Sequence, residues 1–278
     1  MGLGGHLTWT ATAREISKAS PGTKVLPVKK QGNLIKVVKC PTFYNNPNII
    51  QDVIEDDCVF FPMFLDNPQA NYCKQDFHDR AIHRKDAHII EQCCEVYGIQ
   101  NPELKCDIFL DSIELEKVEI LCKDLSKKFI AIEPYSKTNY TPNREYPFEK
   151  FQSIVDSISN KIQVVQIGNV SSNLLKGAVD MRGKTTFREA TGVIEKSSLF
   201  ISCEGGLAHA ATATSTKAIV IITGYQSEKM IAYPQNINVN ISNHDVCGLK
   251  VPCQDCKNDA STHDEKEIIK IINQELRI

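Results

Sequence analysis

A carboxylate and an imidazole flank two glycines in the stretch ISCEGGLAHAATAT, Ile201 to Thr214, which carries Glu204, Gly205, Gly206, Leu207 and His209 in that order. An apolar lead-in, a Gly-Gly turn and a run of small residues is the pattern of a strand that becomes a helix. The first backbone N–H groups of such a helix have no internal partner, and its dipole adds partial positive charge at the same end. Glycines there let a diphosphate come close to the backbone. Glu204 can accept hydrogen bonds from ligand hydroxyls or an amine, and His209, one turn in, can donate toward a phosphate. The combination suits a nucleotide that carries two phosphates and a sugar. A plain strand–helix turn, with His209 bonded to a carbonyl, is the alternative these residues leave open.

A second cluster lies near the C-terminus. CGLKVPCQDCKNDASTHDE contains Cys247, Cys253, Cys256 and His263. A Cys-x-x-Cys pair with a third cysteine and a histidine has the composition of a zinc or iron site, although three thiolates alone do not complete a tetrahedron. Reduced thiols packed in a loop are the alternative. The chain has 11 cysteines. An odd number in a long chain, mostly in apolar or helical contexts, argues for reduced thiols rather than a disulfide framework.

The elements that must position these residues alternate between strand and helix. In the second half, KKFIAIEP, KIQVVQIG, LFISCEGG, TKAIVIITG and NINVNIS read as strands. Between and after them, YPFEKFQSIVDSIS, TTFREATGVIEKSS, LAHAATATS and DEKEIIKIINQEL read as helices, with Thr185 or Thr186 suited to capping. Continuous apolar strands alternating with helices mean a parallel sheet covered on both faces. The first half is looser. GHLTWTATAREISKAS predicts a helix, KVLPV, LIKVVKC and CVFFPMF strands, and KDAHIIEQCCEVYGI an amphipathic helix stopped by Gly98. NPNIIQDVIED predicts a short helix capped by Asn46, and Ser112 is placed to cap IELEKVEILCKDL. The expected division is into residues 1–125 and 126–278.

The second half resembles the nucleotide-binding domain of glycosyltransferase family 9, the ADP-heptose:lipopolysaccharide heptosyltransferases. EGGLAHAA is similar to that family's acidic-Gly/Thr-Gly-apolar-x-His pattern, with Glu204 where Asp is usual. NREYPFEKF resembles its basic-x-aromatic-Pro signature, with Arg144 at a position usually Lys. FIAIEPYSK, VVQIG, GKTTFREATGVIEKSSLFIS and TKAIVIITG follow in the family's order, so the similarity covers essentially all of residues 128–278. GLGGHLTWTATAREI looks like the family's N-terminal turn and helix, but the usual leading strand is absent and the family's Asp falls on Gly5. A late start or a truncated frame is one reading of that difference.

The resemblance implies a GT-B α/β fold, two Rossmann-like domains whose parallel sheets face each other across a cleft. The N-terminal domain would be small and lack its first strand. It implies an inverting glycosyltransferase that moves a sugar, a heptose by family expectation, from ADP-heptose or a related nucleotide-diphosphate donor. The acceptor would be a lipopolysaccharide, lipooligosaccharide or capsule chain, lipid-linked or oligosaccharide. Arg144 would neutralise the leaving diphosphate without a catalytic metal, with Lys137 as a second cation. Ser136 and Thr138 would hydrogen-bond the diphosphate. His6, beside Gly5, is the candidate substitute base, since a neutral imidazole accepts a proton near pH 7. Some relatives bind iron through cysteines in the loop before the last helix, so the resemblance adds a structural zinc or iron ion on Cys247, Cys253 and Cys256 as one reading of the loop, beside reduced thiols. The expected location is cytoplasmic, peripheral on the inner membrane. A catalytically silent sugar-nucleotide binder and a sugar-nucleotide epimerase are the competing readings.

Composition narrows the field. No apolar run approaches the ~18 residues of a membrane span, and MGLGGHLTWT lacks the features of a secretory signal. The net charge of -2 gives no basic stripe for nucleic acid. Residues 1–125 carry 14 Lys+Arg against 18 Asp+Glu and the remainder 18 against 16, so the second half is the better host for an anion.

Overall fold

Helix α1 (Leu3–Ala19) is buried on nearly every side because two cores meet on it. Leu7 and Ala11 face one apolar cluster, and Trp9, Ala13 and Ile16 face another with Val25, Phe43 and Met63. Thr8, Thr10 and Thr12 between them are fully buried. Thr8 and Thr10 direct their hydroxyls to the carbonyls of Gly5 and Leu7 at 2.9 and 2.6 Å, which satisfies groups that could not otherwise be buried. The structure, a computed structural model, describes residues 2–52, 60–67, 87–135 and 140–278, with the backbone of 73–75 and 81–83.

Strand β1 (Lys24–Gln31) pairs antiparallel with β2 (Leu34–Val37) and parallel with β3 (Phe60–Phe64), so the small N-terminal sheet is mixed. Strands β4 (Cys73–Gln75) and β5 (Ala81–His83) form a separate antiparallel pair. Helices α2 (Ile89–Glu95) and α3 (Ser112–Cys122) complete this half. No described strand precedes α1.

Two local expectations are corrected here. Residues 46–52 are not helical: Asn46 Oδ1 accepts from the Asn48 N–H at 2.9 Å, a turn, and Ile49 bridges to Val25. The asparagine side chain favours the turn, and the bridge gives Ile49 a buried place beside β1. The cap of α3 is Asp111, not Ser112. Its carboxylate accepts from the Glu114 N–H at 2.8 Å and Glu114 returns a bond to the Asp111 N–H at 2.9 Å, a reciprocal pair that Ser112 has no matching residue to make.

The second half follows as β6 (Phe129–Glu133), α4 (Phe148–Ile158), β7 (Gln163–Gln166), β8 (Val179–Asp180), α5 (Phe187–Lys196) and β9 (Leu199–Cys203). Then come α6 (Gly206–Ala211), β10 (Ala218–Ile222), α7 (Glu228–Ile231), β11 (Ile237–Asn240), α8 (Gln254–Thr262) and α9 (Lys266–Leu276). Six strands form one parallel sheet, ordered β11-β10-β9-β6-β7-β8. From β8 inward and out again this is the 3-2-1-4-5-6 order of a dinucleotide-binding sheet. Successive residues of β6 point to opposite faces. Ile130 and Ile132 pack with α4 and α9, while Phe129 and Ala131 join the cluster that includes α5, α6 and α1. Thr186, not Thr185, caps α5 and shares a reciprocal pair with Glu189.

The halves are bound by an ion pair and by close packing. Arg188 on α5 is 3% exposed and meets Glu114 on α3 at 2.6 and 2.7 Å. The same guanidinium donates to the carbonyls of Pro41, Tyr44 and Phe109.

Candidate active site

The order of strands reverses direction between β6 and β9, and ligands of such sheets bind at the carboxyl ends of the strands there. Those ends carry Glu133, the last residue of β6, and Glu204, the first residue after β9. A cleft of about 430 Å³ opens above them. Its lining includes Glu133, Arg144, Gly205, Gly206, Leu207 and His209 from one half and Gly2, Leu3, Gly4 and Gly5 from the other. The starts of α1 and α6 abut at glycines. A Cβ on Gly4 would stand 2.9 Å from Gly206 Cα and 3.2 Å from His209 Cδ2. Both helix starts therefore face the cleft, and that of α1, with 17 residues against six in α6, carries the fuller dipole.

Arg144 and Glu204 form the charged centre. Arg144 Nε lies 3.7 Å from Glu204 Oε1, with side chains 20% and 4% exposed. Nη2 donates to Gln226 Oε1 at 3.0 Å, and the guanidinium lies 4.8 Å from the Tyr225 ring centroid and 5.3 Å from that of Tyr140. Neither Glu204 oxygen nor Arg144 Nε has a hydrogen bond. The neighbouring Thr223 hydroxyl directs its proton to the Asn143 carbonyl at 2.6 Å instead. Burial pushes the Glu204 carboxyl up to about 7, against the pull of Arg144. Burial alone pushes Glu133 up to about 8. Buried polar atoms without partners are costly, so their concentration at one cleft marks where a polar ligand would supply them.

His209 is fixed by a relay. Its Nδ1 lies 2.7 Å from the Tyr233 hydroxyl, which is 3.6 Å from Cys106 Sγ. Burial, then the charges of Arg144 and His88, push its imidazole down to about 3, so it is neutral at ordinary pH. With Nδ1 engaged, Nε2 is the nitrogen left for a ligand. His6 sits one turn into α1. Its Nδ1 is 3.1 Å from the carbonyl of Gly2, a residue of the cleft lining, and its ring packs edge-on against Phe43. Burial lowers its pKa. Ser136, Lys137 and Thr138 lie outside the described residues.

The cysteine segment is not all loop. Cys253 stands directly before α8 and Cys256 lies in its first turn. Ligand atoms of His244, Cys247, Cys253 and Cys256 all fall within 4.8 Å of one another. Cys256 Sγ is 3.3 Å from His244 Nε2 and 3.4 Å from Cys247 Sγ. A tetrahedral ion with metal–sulfur bonds of about 2.3 Å needs ligand separations of about 3.8 Å, so small adjustments would seat one. His244 Nδ1 meets Asp259 Oδ2 at 2.7 Å, the outer carboxylate that typically orients a metal-bound imidazole. The donor set fits zinc or iron. The fourth member is His244 and not His263, whose ring bonds to Tyr146 and Glu267 at 2.8 and 3.2 Å beyond the far end of α8. Every described cysteine side chain is a free thiol.

The structure thus brings Arg144, Gly205, Gly206, Leu207 and His209 around one cleft, with Glu204 in a small adjoining pocket shared with Arg144 and His209, and Cys247, Cys253 and Cys256 around another point; His6 is not among the residues that line the cleft. Sequence reasoning missed Glu133, Gln226, Tyr233, Gly4 and His244. Glu133 was legible as the polar residue that ends the strand FIAIE, and His244 as the start of His-x-x-Cys. Nothing in the sequence pairs Tyr233 with His209 or Gly4 with Gly206.

The family model of glycosyltransferase family 9 (heptosyltransferase) matches residues 74–263. No curated protein matches the sequence. Among solved structures, a family 9 glycosyl transferase from Veillonella parvula superposes with a TM-score of 0.67 at 12% identity, over 99% of this chain and 95% of that one. The iron-containing dodecameric glycosyltransferase TibC of enterotoxigenic E. coli gives 0.67 at 13% identity, over 100% of this chain and 74% of that one. E. coli ADP-heptose lps heptosyltransferase II gives 0.65 at 11% identity, over 99% and 96%. TibC has also been solved with ADP-D-beta-D-heptose, and E. coli heptosyltransferase WaaC with ADP. At these identities the structural likeness speaks for the GT-B fold, and the family match extends over most of the sequence. The chain belongs to glycosyltransferase family 9.

Proposed function

We propose that the chain transfers a sugar, a heptose, from a nucleoside-diphosphate donor to a hydroxyl of a lipopolysaccharide-type or oligosaccharide acceptor, with inversion. The observation that carries this reading is the Arg144–Glu204 pair. Three of its buried polar atoms have no hydrogen bond, and it stands at the reversal point of the sheet beside the cleft. Arg144 grips the diphosphate and neutralises the charge that grows as the glycosidic bond breaks. Glu204 accepts from donor hydroxyls, and His209 Nε2 donates toward a phosphate. Backbone amides around Gly205 and Gly206 line the approach, and Ser136, Lys137 and Thr138, which follow β6 in the sequence, contribute to holding the diphosphate. The relatives solved with ADP and ADP-heptose make the adenine nucleotide the first donor to test. His6 takes the proton of the acceptor hydroxyl. The nucleotide lies on residues 126–278 and the acceptor on 1–125. Displacement needs no metal. A zinc or iron ion on Cys247, Cys253, Cys256 and His244 is structural, remote in role from the bond broken.

No described helix is long and apolar enough to cross a membrane. Contact with a lipid-linked acceptor on the cytoplasmic face of the inner membrane is peripheral in this reading. The deciding experiment follows ADP release from ADP-heptose with and without lipooligosaccharide acceptor. Acceptor-dependent release is expected. Arg144→Ala should weaken ADP binding at least tenfold, while His6→Ala should slow transfer and leave ADP binding within twofold. Conversion of the donor sugar without acceptor and without net ADP release would favour an epimerase, and ADP binding without turnover a silent binder.

A further inference from the structure

The cysteine cluster and the donor cleft meet at one buried amide. Asn143 is 5% exposed and lies in the tight turn Pro142–Arg144, directly before Arg144. Its Nδ2 donates to the carbonyls of Leu249 and Val251 at 2.8 and 2.9 Å and lies 3.8 Å from Cys247 Sγ. Its Oδ1 accepts from the Cys253 N–H at 2.8 Å. Thr141 adds a bond to the Leu249 carbonyl at 2.8 Å. The Asn143 carbonyl accepts from Thr223, just past β10. One side chain thus holds the segment between Cys247 and Cys253 along its length, and the next residue is the guanidinium that faces Glu204.

The carbonyls of Leu249 and Val251 converge on Asn143 only while the segment stays folded back. An ion held by Cys247 and Cys253 pins both its ends. Were the segment to open without an ion, Asn143 would lose these partners, which is costly for a buried amide, and the turn that carries Arg144 to Tyr225 would be free to relax.

We propose that Asn143 is a positioning residue that makes metal binding at the cysteine cluster and nucleoside-diphosphate binding at Arg144 mutually reinforcing. The proposal rests on the donor-site and structural-metal readings above. Linkage of this kind is reciprocal: each ligand raises the affinity for the other by the same factor.

The test uses the full chain under reductant, loaded with Zn²⁺ or stripped by a chelator. ADP affinity is measured by calorimetry in both states, and Zn²⁺ affinity by competition with a chromophoric chelator, with and without ADP. Loaded protein should bind ADP about tenfold tighter, within the usual range of coupling between linked sites, and ADP should raise Zn²⁺ affinity equally. Asn143→Ala, with all four ligands and Arg144 intact, should still bind both, with the coupling reduced below twofold. Equal ADP affinity in loaded and stripped wild-type protein overturns the proposal. So does undiminished coupling in Asn143→Ala, or loss of the whole far-UV helical signal on stripping, which would mean global unfolding. If the variant does not fold, the wild-type measurements decide. Failure to take up Zn²⁺ sinks the metal reading along with the coupling, and failure of loaded protein to bind ADP sinks the donor reading. Binding of both without linkage overturns the coupling alone.

Discussion

Glu133 stands in a cleft read as holding two phosphates, and it can do so because burial keeps it protonated up to about pH 8. A raised carboxyl pKa means the folded state binds a proton that the unfolded state releases at about 4.5. Its contribution to stability is therefore present at low pH and lost as pH rises toward 8. The same ionisation places a negative charge beside the diphosphate. ADP affinity should therefore fall between pH 6 and pH 9, in steps near 7 from Glu204 and near 8 from Glu133. In Glu133→Gln the upper step should vanish while the lower one remains. Calorimetric titrations across that range check this, and identical profiles for the two proteins would remove Glu133 from the diphosphate's surroundings. At the same scale, the Arg144 guanidinium stacked near Tyr140 and Tyr225 presents a planar donor that Lys does not reproduce.

At the scale of elements, the cleft depends on how closely two helices approach. Gly4 lies inside α1, where alanine would gain about 1 kcal/mol of helix propensity. The added Cβ would meet Gly206 Cα at 2.9 Å, and backbone cannot swing aside as a side chain can. Overpacking of this kind costs about 1–3 kcal/mol, so the clash outweighs the propensity. Gly4→Ala should lower the melting temperature by a few degrees and weaken ADP binding together, since α1 must back away from the cleft. A melting temperature at or above wild type would show that the helices have room to spare. Asp111, Thr186 and His88 cap α3, α5 and α2 with the same reciprocal pair, each with Glu three residues on. The α3 cap also carries a residue of the joint between the halves, since Glu114 is the partner of Arg188 on α5.

At the scale of the molecule, the two halves share a core and are not beads on a string. One apolar cluster runs from Leu7 and Ile90 to Phe200 and Ile222. Arg188 anchors the joint by binding Glu114 and three carbonyls of the first half. Removing one partner of a buried ion pair costs about 3–5 kcal/mol, because the remaining charge loses its compensation. Arg188→Leu should shift the urea midpoint down accordingly and weaken ADP binding through the misplaced cleft wall. A shift below about 1 kcal/mol would mean that packing alone holds the halves.

The parallel sheet was legible from the sequence because its strands are continuous apolar runs, and burial on both faces leaves no other pattern. The Glu204–His209 segment was legible because Gly-Gly between an apolar run and small residues has few other uses. The same local reasoning misplaced the helix at Asn46, where a side-chain turn and a bridge to Val25 outweigh helical spacing. It also named His263 beside the three cysteines and passed over His244, because the sequence does not reveal that α8 carries His263 past the thiols while His244 folds back onto them. Local sequence thus determined most of the strands and helices and which residues are candidates for phosphate and thiol chemistry. Only the tertiary structure decided that β6 and β9 lie side by side, that Gly4 meets Gly206, and that Asn143 links the cysteines to Arg144. Those contacts join residues up to about two hundred positions apart. They are set by how the sheet and helices pack to bury both faces, which the residue types alone do not record.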